Sequence, residues 1–338
     1  MSTTSKSPRA VLKVAYHVGQ QSLRKYSHRN SPKKFTQPQL FACLVLKEFL
    51  QLDYRKLEQL LLDAGELCDA IELELVPHFS TFQKAAERLL RSHRAQRLLT
   101  ETLRTAQQIR KLGRRVRLAA GDGTGWESHH VSHYYVKRRA SCSKFWQKTT
   151  YQTFPKAGLL CDTESHLILA VVAEQGPGPD ISHGRALLER GAGQVAISAV
   201  ALDAGYDAEH LHVHARETLG MRTFIPAKIG RPTSKPPSGR WRRAMASRLH
   251  LTRYTQRWQV ETVNSMLKRL MGSALRARTY WSRCRETCLR ALSLNIMILR
   301  RSSTFRQSKS LFFALQKTPT LYCSLLPSFV ALPQAQIL

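Results

Sequence analysis

Carboxylates are scarce in this chain. Its 338 residues hold 23 Asp and Glu against 53 Lys and Arg, a formal charge of +30. The shortage is uneven, because from Thr218 to Leu338 only Glu261 and Glu286 are acidic, against 22 basic residues. Such a balance points to a polyanion as partner: nucleic acid first, an acidic membrane surface second. Long hydrophobic runs are also lacking. The first twenty residues have no apolar core of signal length, and the charge-free stretch 318–338 is interrupted by Pro319, Pro327 and Pro333, so no transmembrane helix is expected. Cysteine is sparse and unpatterned: seven, odd in number, with no CxxC, which speaks against a disulfide framework or a zinc ribbon and fits a reducing cytoplasm, near the nucleoid if the partner is DNA. No GxSxG is present, and no Cys has a placed His and acid, so a Ser or Cys nucleophile has no support.

With 43% hydrophobic residues the chain is long enough for about two domains of ~100–200 residues. Residues 1–34 are basic and Ser-rich and read as a flexible arm. Helical signals follow. Thr36 can cap a helix with Pro38 in its first turn, and Asp53 can cap a second through Tyr54, Leu57, Leu60 and Leu61. Ser80 with Gln83 reads as a capping box opening a third, and a fourth is expected from about Gln96 to Lys111. Residues 35–112 are therefore expected to form an all-helical module that can read DNA through a helix-turn-helix or serve simply as a bundle.

After Gly113 the periodicity changes. Val116, Leu118 and Ala120 alternate as a strand that reads as ending in a turn, Gly121-Asp122-Gly123-Thr124-Gly125. Residues 151–161 and 166–173, joined by DTES, read as a hairpin. Ile181 to Arg190 reads as a helix, and Val195 to Leu202 as a strand buried on both faces that ends at Asp203. A helix from Ala208 and a strand Met221–Ile225 follow, so an α/β fold with a mixed sheet is expected over 113–301. Residues 228–247 read as a basic loop or lid whose Arg240, Arg242 and Arg243 suit backbone phosphates, and two helices, about 247–272 and 282–301, close the domain. Residues 302–338 are a tail of uncertain order.

Asp122 and Asp203 fall at the ends of two expected buried strands, the edge where open α/β sheets handle ligands; ordinary turn residues would look the same. Tyr254, Arg257, Glu261 and Lys268 fall at about 0°, −60°, −20° and −40° on a helical wheel, one polar stripe ~21 Å long. An exposed salt-bridged face is one explanation. The other is chemical: three carboxylates can hold two Mg²⁺ ions about 3.5–4 Å apart together with phosphate oxygens, while Arg257 and Lys268 grip neighbouring phosphates. Glu286 has the plainer role of pairing with Arg283, Arg285 or Arg290. His129, His130 and His133 match no zinc spacing, and Trp126 and Trp258 suit burial better than base stacking.

The order GDGTG with Asp122, LDAGYD with Asp203, and Tyr254-x2-Arg257-x3-Glu261-x6-Lys268 resembles the DDE transposases of bacterial insertion sequences that carry the Y-R-E-K signature. The likeness spans about residues 115–301, and Pro77-His-Phe-Ser-Thr-Phe82 is a weaker match. It implies an RNase H-like catalytic domain with Asp122 on the first strand, Asp203 after the fourth and Glu261 on a later helix. It further implies two Mg²⁺ ions, with Mn²⁺ able to substitute, bound by Asp122, Asp203 and Glu261. Double-stranded DNA would be the partner, cut at terminal inverted repeats to a 3′-hydroxyl and joined to target DNA, with Tyr254, Arg257 and Lys268 as DNA contacts and a homodimer at synapsis. Only 57 residues separate Asp203 from Glu261, which leaves no room for the long β-rich insert of larger members. A DNA-binding protein without catalysis, derived from such a transposase, is the alternative function.

Overall fold

A computed structural model describes residues 4–128, 154–228, 236–249 and 251–300. Contacts divide the chain into residues 1–301 and 302–338, and the second unit, with the expected tail, lies outside the described residues.

The chain opens with helix α1 (Pro8–Ser22), where a flexible arm was expected. Ser7 caps it by accepting from the Ala10 amide, Pro8 fills the first turn, and Val11, Val14, Ala15 and Val18 form a fully buried stripe. The basic, Ser-rich flanks masked that i, i+3, i+4, i+7 spacing, which outweighs charge in deciding the fold. Among the described residues of that segment, exposed irregular chain lies at Lys6–Ser7 and at about residues 23–35.

Helix α2 (Gln37–Phe49) starts at Thr36 as expected, with a full capping box to Gln39. It is almost wholly buried. Phe41, Leu44 and Leu46 are each completely removed from water, worth about 1.5–3 kcal/mol apiece. Asp53 caps α3 (Tyr54–Asp63) through the Lys56 amide, and a short α4 (Gly65–Asp69) follows. Helix α5 (Phe79–Leu89) starts two residues earlier than the Ser80 box would place it. Its cap is His78, whose ring nitrogen accepts from the Ser80 amide, and the Phe79 amide is satisfied by Glu58 of α3. Helix α6 (Ser92–Gln108) completes the helical layer.

The strands are β1 (Arg115–Val116), β2 (Ala119–Gly125), β3 (Glu127–Ser128), β4 (Phe154–Asp162), β5 (Ile168–Gly176), β6 (Ala196–Ile197), β7 (Ala199–Leu202), β8 (Arg222–Phe224) and β9 (Ala274–Leu275). Five of them make one mixed sheet in the order β5-β4-β2-β7-β8. β2, β4 and β5 run antiparallel in sequence, and β7 and β8 then add parallel to β2, an order consistent with the RNase H-like expectation. Two small parallel pairs, β1 with β6 and β3 with β9, flank it. The GDGTG segment is part of β2 and not a turn after it. Its glycines serve close packing: a Cβ on Gly121 would come within 2.5 Å of Leu202 Cδ2, and one on Gly125 within 3.0 Å of the Phe154 ring.

The later helices are α7 (Ile181–Ala192), α8 (Glu209–Val213, running into a π turn His214–Thr218), α9 (Arg240–Arg248), α10 (Leu251–Tyr254), α11 (Trp258–Met271) and α12 (Tyr280–Leu299). α9 occupies part of the expected basic loop. α12 is the central post, packing on α1, α2, α5, α6, β4 and β5. Asn295 accepts from the Ile168 amide and donates to the Ile168 carbonyl, while Ser5 donates its amide to the Met297 carbonyl. Residues 1–301 therefore form one compact unit, and the 35–112 and 113–301 segments differ in secondary structure without having separate cores.

Buried Arg290 of α12 organises the far side of the sheet. It donates to the Gly272 and Ala274 carbonyls at 2.7 Å each, pairs with Glu286 at 2.9 Å, and stacks its guanidinium 4.9 Å from the Trp126 ring centre. Glu286 also accepts the Arg276 and Ala277 amides. The structural role expected of Glu286 holds for Arg290, and the network anchors the chain where α11 ends. Among the described residues no helix is long and apolar enough to cross a membrane.

Candidate active site

β2 and β7 pair in parallel with Gly121 opposite Leu202. Asp122 is the next residue of β2 and Asp203 the residue just after β7, so their backbones run about 4.8 Å apart and the charge of Asp203 bears on Asp122. Asp203 begins the 3-10 turn Ala204–Tyr206, yet its side chain makes no capping bond to that turn. Asp122 is half-buried, and burial pushes its carboxyl up to about 6; the Gly123 amide and Arg257 pull it down, while the charges of Asp180 and Asp203 push it up.

Helix α11 lies across β2 and β4. Glu261, in its first turn, faces an open groove of about 700 Å³ that it shares with Asp122, Gly123, Thr124, Lys268 and Arg269. Arg257 Nη2 stands 2.6 Å from Glu261 Oε1. Among the described residues no three His, Cys, Asp or Glu side chains converge as a ready ligand set. Asp122 and Asp203 are together, and Glu261 is held on Arg257 across the groove from Asp122. The donors are all carboxylate oxygens, the set Mg²⁺ and Mn²⁺ prefer. Asp122, raised by burial and by two neighbouring acids, is a group whose charged form a divalent cation would relieve, so these residues fit such an ion.

The expected straight stripe over 254–268 is bent. Residues Thr255–Arg257 form a 3-10 turn between α10 and α11. A 3-10 turn advances about 120° per residue against 100° in an α-helix, so three residues rotate what precedes them by roughly 60°. Arg257, Glu261 and Lys268 stay on the groove side. Tyr254 instead packs, with Leu249, on the cluster of Leu118, Ala199, Ala201 and Phe224, while remaining close enough to Arg257 to bear on its charge.

The three arginines expected at DNA divide. Arg242 is clamped by Asp207: its Nε and Nη2 reach Oδ2 at 2.9 and 2.7 Å, and the Asp207 side chain is completely buried. Glu209 accepts the Trp241 and Arg242 amides and so caps the start of α9. Arg242 thus has a structural partner that composition hid. Arg240 and Arg243 are exposed; the former stacks on Trp241 at 4.6 Å. Trp126 is buried as expected, 2% exposed, but Trp258 is 53% exposed, the reverse of the expectation, because it opens α11 on the solvent side. His129, His130 and His133 lie outside the described residues.

Two residues beside the aspartates were not foreseen. Asp180, just before α7, and Lys156 of β4 form an ion pair of 2.7 Å next to Gly123. Behind them His183 joins Glu174 through Nδ1 at 2.9 Å and the buried Tyr206 hydroxyl through Nε2 at 2.7 Å. In sequence Asp180 looks like a helix cap after GPGP, and nothing in the pattern of a strand lysine foretells its partner.

Residues 117–296, more than half of the chain, match the family model described as transposase DDE domain. No curated protein matches the chain.

Proposed function

The chain belongs to the transposase DDE domain family, and from that premise we propose that it is a DNA transposase that binds the terminal inverted repeats of its own insertion sequence, cleaves a strand to a 3′-hydroxyl and joins that end to target DNA. The observation that carries this reading is the placement of Asp122 and Asp203 at neighbouring positions of parallel strands, with Glu261 facing Asp122 across a groove lined by Lys268 and Arg269.

Asp122, Asp203 and Glu261 would hold two Mg²⁺ or Mn²⁺ ions. When bound, such a pair supplies activation of a water or 3′-hydroxyl and stabilisation of the leaving oxygen. The protein's own groups do the rest. Arg257 keeps the Glu261 carboxylate aimed along the groove and is itself a phosphate donor once Glu261 turns to the ligand position. Lys268 and Arg269 at the groove rim hold phosphates flanking the scissile one, and exposed Arg240 and Arg243 extend the basic track. The signature Tyr254, through its contact with Phe224 and its proximity to Arg257, sets the arginine's position. The formal charge of +30 supplies sequence-independent attraction to the duplex. Two ends must be held together for joining, so the working species is a homodimer on DNA, in the cytoplasm at the nucleoid.

The test is strand cleavage: purified protein with a duplex spanning the end of its element, in Mg²⁺ or EDTA, beside Glu261→Ala. The expected outcome is a metal-dependent nick that leaves a 3′-hydroxyl at the repeat boundary and is absent in the variant. Tight binding of the duplex with no cleavage in either Mg²⁺ or Mn²⁺ would overturn the catalytic reading.

A further inference from the structure

Asp180 occupies the position before the first turn of α7, where an aspartate normally accepts from an amide two or three residues on and stabilises the helix by about 0.5–2 kcal/mol. Its side chain makes no such bond. The carboxylate is turned the other way, with Oδ1 2.7 Å from Lys156 Nζ. It also lies directly on two glycines: a Cβ on Gly123 would come within 2.3 Å of Oδ1, and one on Gly205 within 3.2 Å of Oδ2. Gly123 follows Asp122, and Gly205 comes two residues after Asp203. Asp180 is therefore wedged between the backbones of the two strand ends that carry the proposed ligands, and at Gly123 no other residue would let it approach so closely.

Lys156 completes the arrangement. Its side chain is only 10% exposed, and its ammonium also donates to the Gly178 carbonyl, which ties down the chain leading into Asp180. A lysine buried to that degree needs a counter-charge, and Asp180 supplies it. Asp180 itself is partly open to water. With helical backbone angles of its own Asp180 is not set to cap α7, and its carboxylate is turned to Lys156 and the two glycines, a negative charge beside two others.

We infer that Asp180, anchored by Lys156, is a positioning residue of the Asp122–Asp203 pair: it adds negative charge behind the pair and fixes its backbone, so that divalent ions bind more tightly, without becoming a ligand itself. The inference rests on the metal-dependent reading above. Charge and structure make different predictions. If Asp180 acted only as half of a structural ion pair, removing either partner would loosen the site and weaken ion binding. If its charge acts on the ion, removing Asp180 weakens binding, and removing Lys156, which offsets that charge, strengthens it.

The experiment is calorimetric titration of Mn²⁺ into the full-length protein without DNA. Asp180→Asn, which keeps the shape, is expected to weaken Mn²⁺ binding about tenfold, the usual effect of outer-shell partners. Lys156→Met, which keeps the apolar stem, is expected to tighten it by a factor of about three, less than the charge deletion because Asp180 is already partly screened by water. Weakening by both substitutions, or no change in either, overturns the inference. Asp180→Ser, which relieves the crowding on Gly123, supplies the same charge deletion should circular dichroism show the Asn variant unfolded. Asp122→Asn separates the two levels of the argument. Its failure to abolish uptake, or the absence of uptake by the wild type, sinks the metal-dependent reading and this inference with it, whereas intact wild-type uptake that is lost in Asp122→Asn but unmoved by Asp180→Asn sinks this inference alone.

Discussion

Asp122→Asn should stabilise the protein while abolishing cleavage. In the fold the Asp122 carboxyl is pushed from 3.8 to about 6, first by burial. About two pKa units at 1.36 kcal/mol each set a ceiling of about 3 kcal/mol on the cost of keeping it charged. Because the side chain is only half-buried, solvent screening brings the figure to about 1–2 kcal/mol. The sign follows from proton linkage. Between 3.8 and about 6 the folded state binds more protons at this site than the unfolded chain, so the wild type loses stability as pH rises through that window. Below it both states are protonated and the penalty is absent; above it the penalty is complete. The neutral Asn carries none of this. Urea unfolding in EDTA at half-unit steps from pH 3.5 to 8 should therefore give midpoints for the two proteins that coincide at the acid end and separate toward pH 6, with the variant the more stable. Adding Mn²⁺ should raise the wild type, by about 2.7 kcal/mol at a hundred times its dissociation constant, and leave the variant where it was. A variant no more stable than wild type at pH 7 in EDTA, or a difference that does not change with pH, refutes the reasoning.

Three further outcomes are expected. Arg242→Ala leaves the buried Asp207 charge without its guanidinium and should destabilise by about 3–5 kcal/mol in urea unfolding, whereas Arg240→Ala and Arg243→Ala should stay within about 0.5 kcal/mol of wild type and instead weaken duplex binding. Lys268→Ala, if the lysine neutralises one phosphate in the groove, should lower the slope of log affinity against log salt by about 1 in a fluorescence-anisotropy titration; an unchanged slope removes it from the DNA track. Thr36→Ala removes one half of the capping box of α2 and should cost about 1 kcal/mol of thermal stability with no effect on DNA affinity.

Features legible in the sequence were those set by short-range chemistry. Thr36 with Gln39 and Asp53 with the Lys56 amide are local bonds, and both helices start where those residues place them. The hairpin β4–β5 and the buried β7 followed from apolar runs and a polar turn. Errors came where a distant group decided. α5 begins at Phe79 because Glu58, twenty-one residues away, takes its first amide. GDGTG looked like a turn because three glycines in five residues usually make one; in the fold it is a strand on which Leu202, Asp180 and Phe154 each press against one of the glycines. Arg242 looked like its neighbours because nothing in WRRAMASR reveals that Asp207 is waiting for one of the arginines. At the candidate site the apolar runs put Asp122 and Asp203 at the ends of two strands and the resemblance grouped Glu261 with them, but neither made the two strands neighbours or carried information on Asp180 or Lys156, whose contacts are with backbone far away in sequence.

In a chain with a formal charge of +30 every carboxylate has cations to choose from, so the bonds a carboxylate makes, or does not make, separate structural acids from chemical ones. Asp207 and Glu209 fasten α9, Glu286 holds Arg290 and two amides, and Glu101 takes a bidentate grip on Arg104. Each of these acids makes charge-assisted bonds within the fold, and a substitution at any of them removes one. Asp203 starts a turn it does not cap, Asp180 starts a helix it does not cap, and Asp122 is held half-buried in a strand at a cost in charge. Three acids without a capping role crowd one sheet edge, where among the described residues Lys156 pairs with Asp180, Arg257 pairs with Glu261, and Lys268 and Arg269 line the groove that Asp122 faces. Burial of Asp122 beside two further acids costs stability in the protein alone. On the proposed function that cost is offset when a divalent cation sits among the carboxylates, with phosphate oxygens brought by the basic surface completing its ligands.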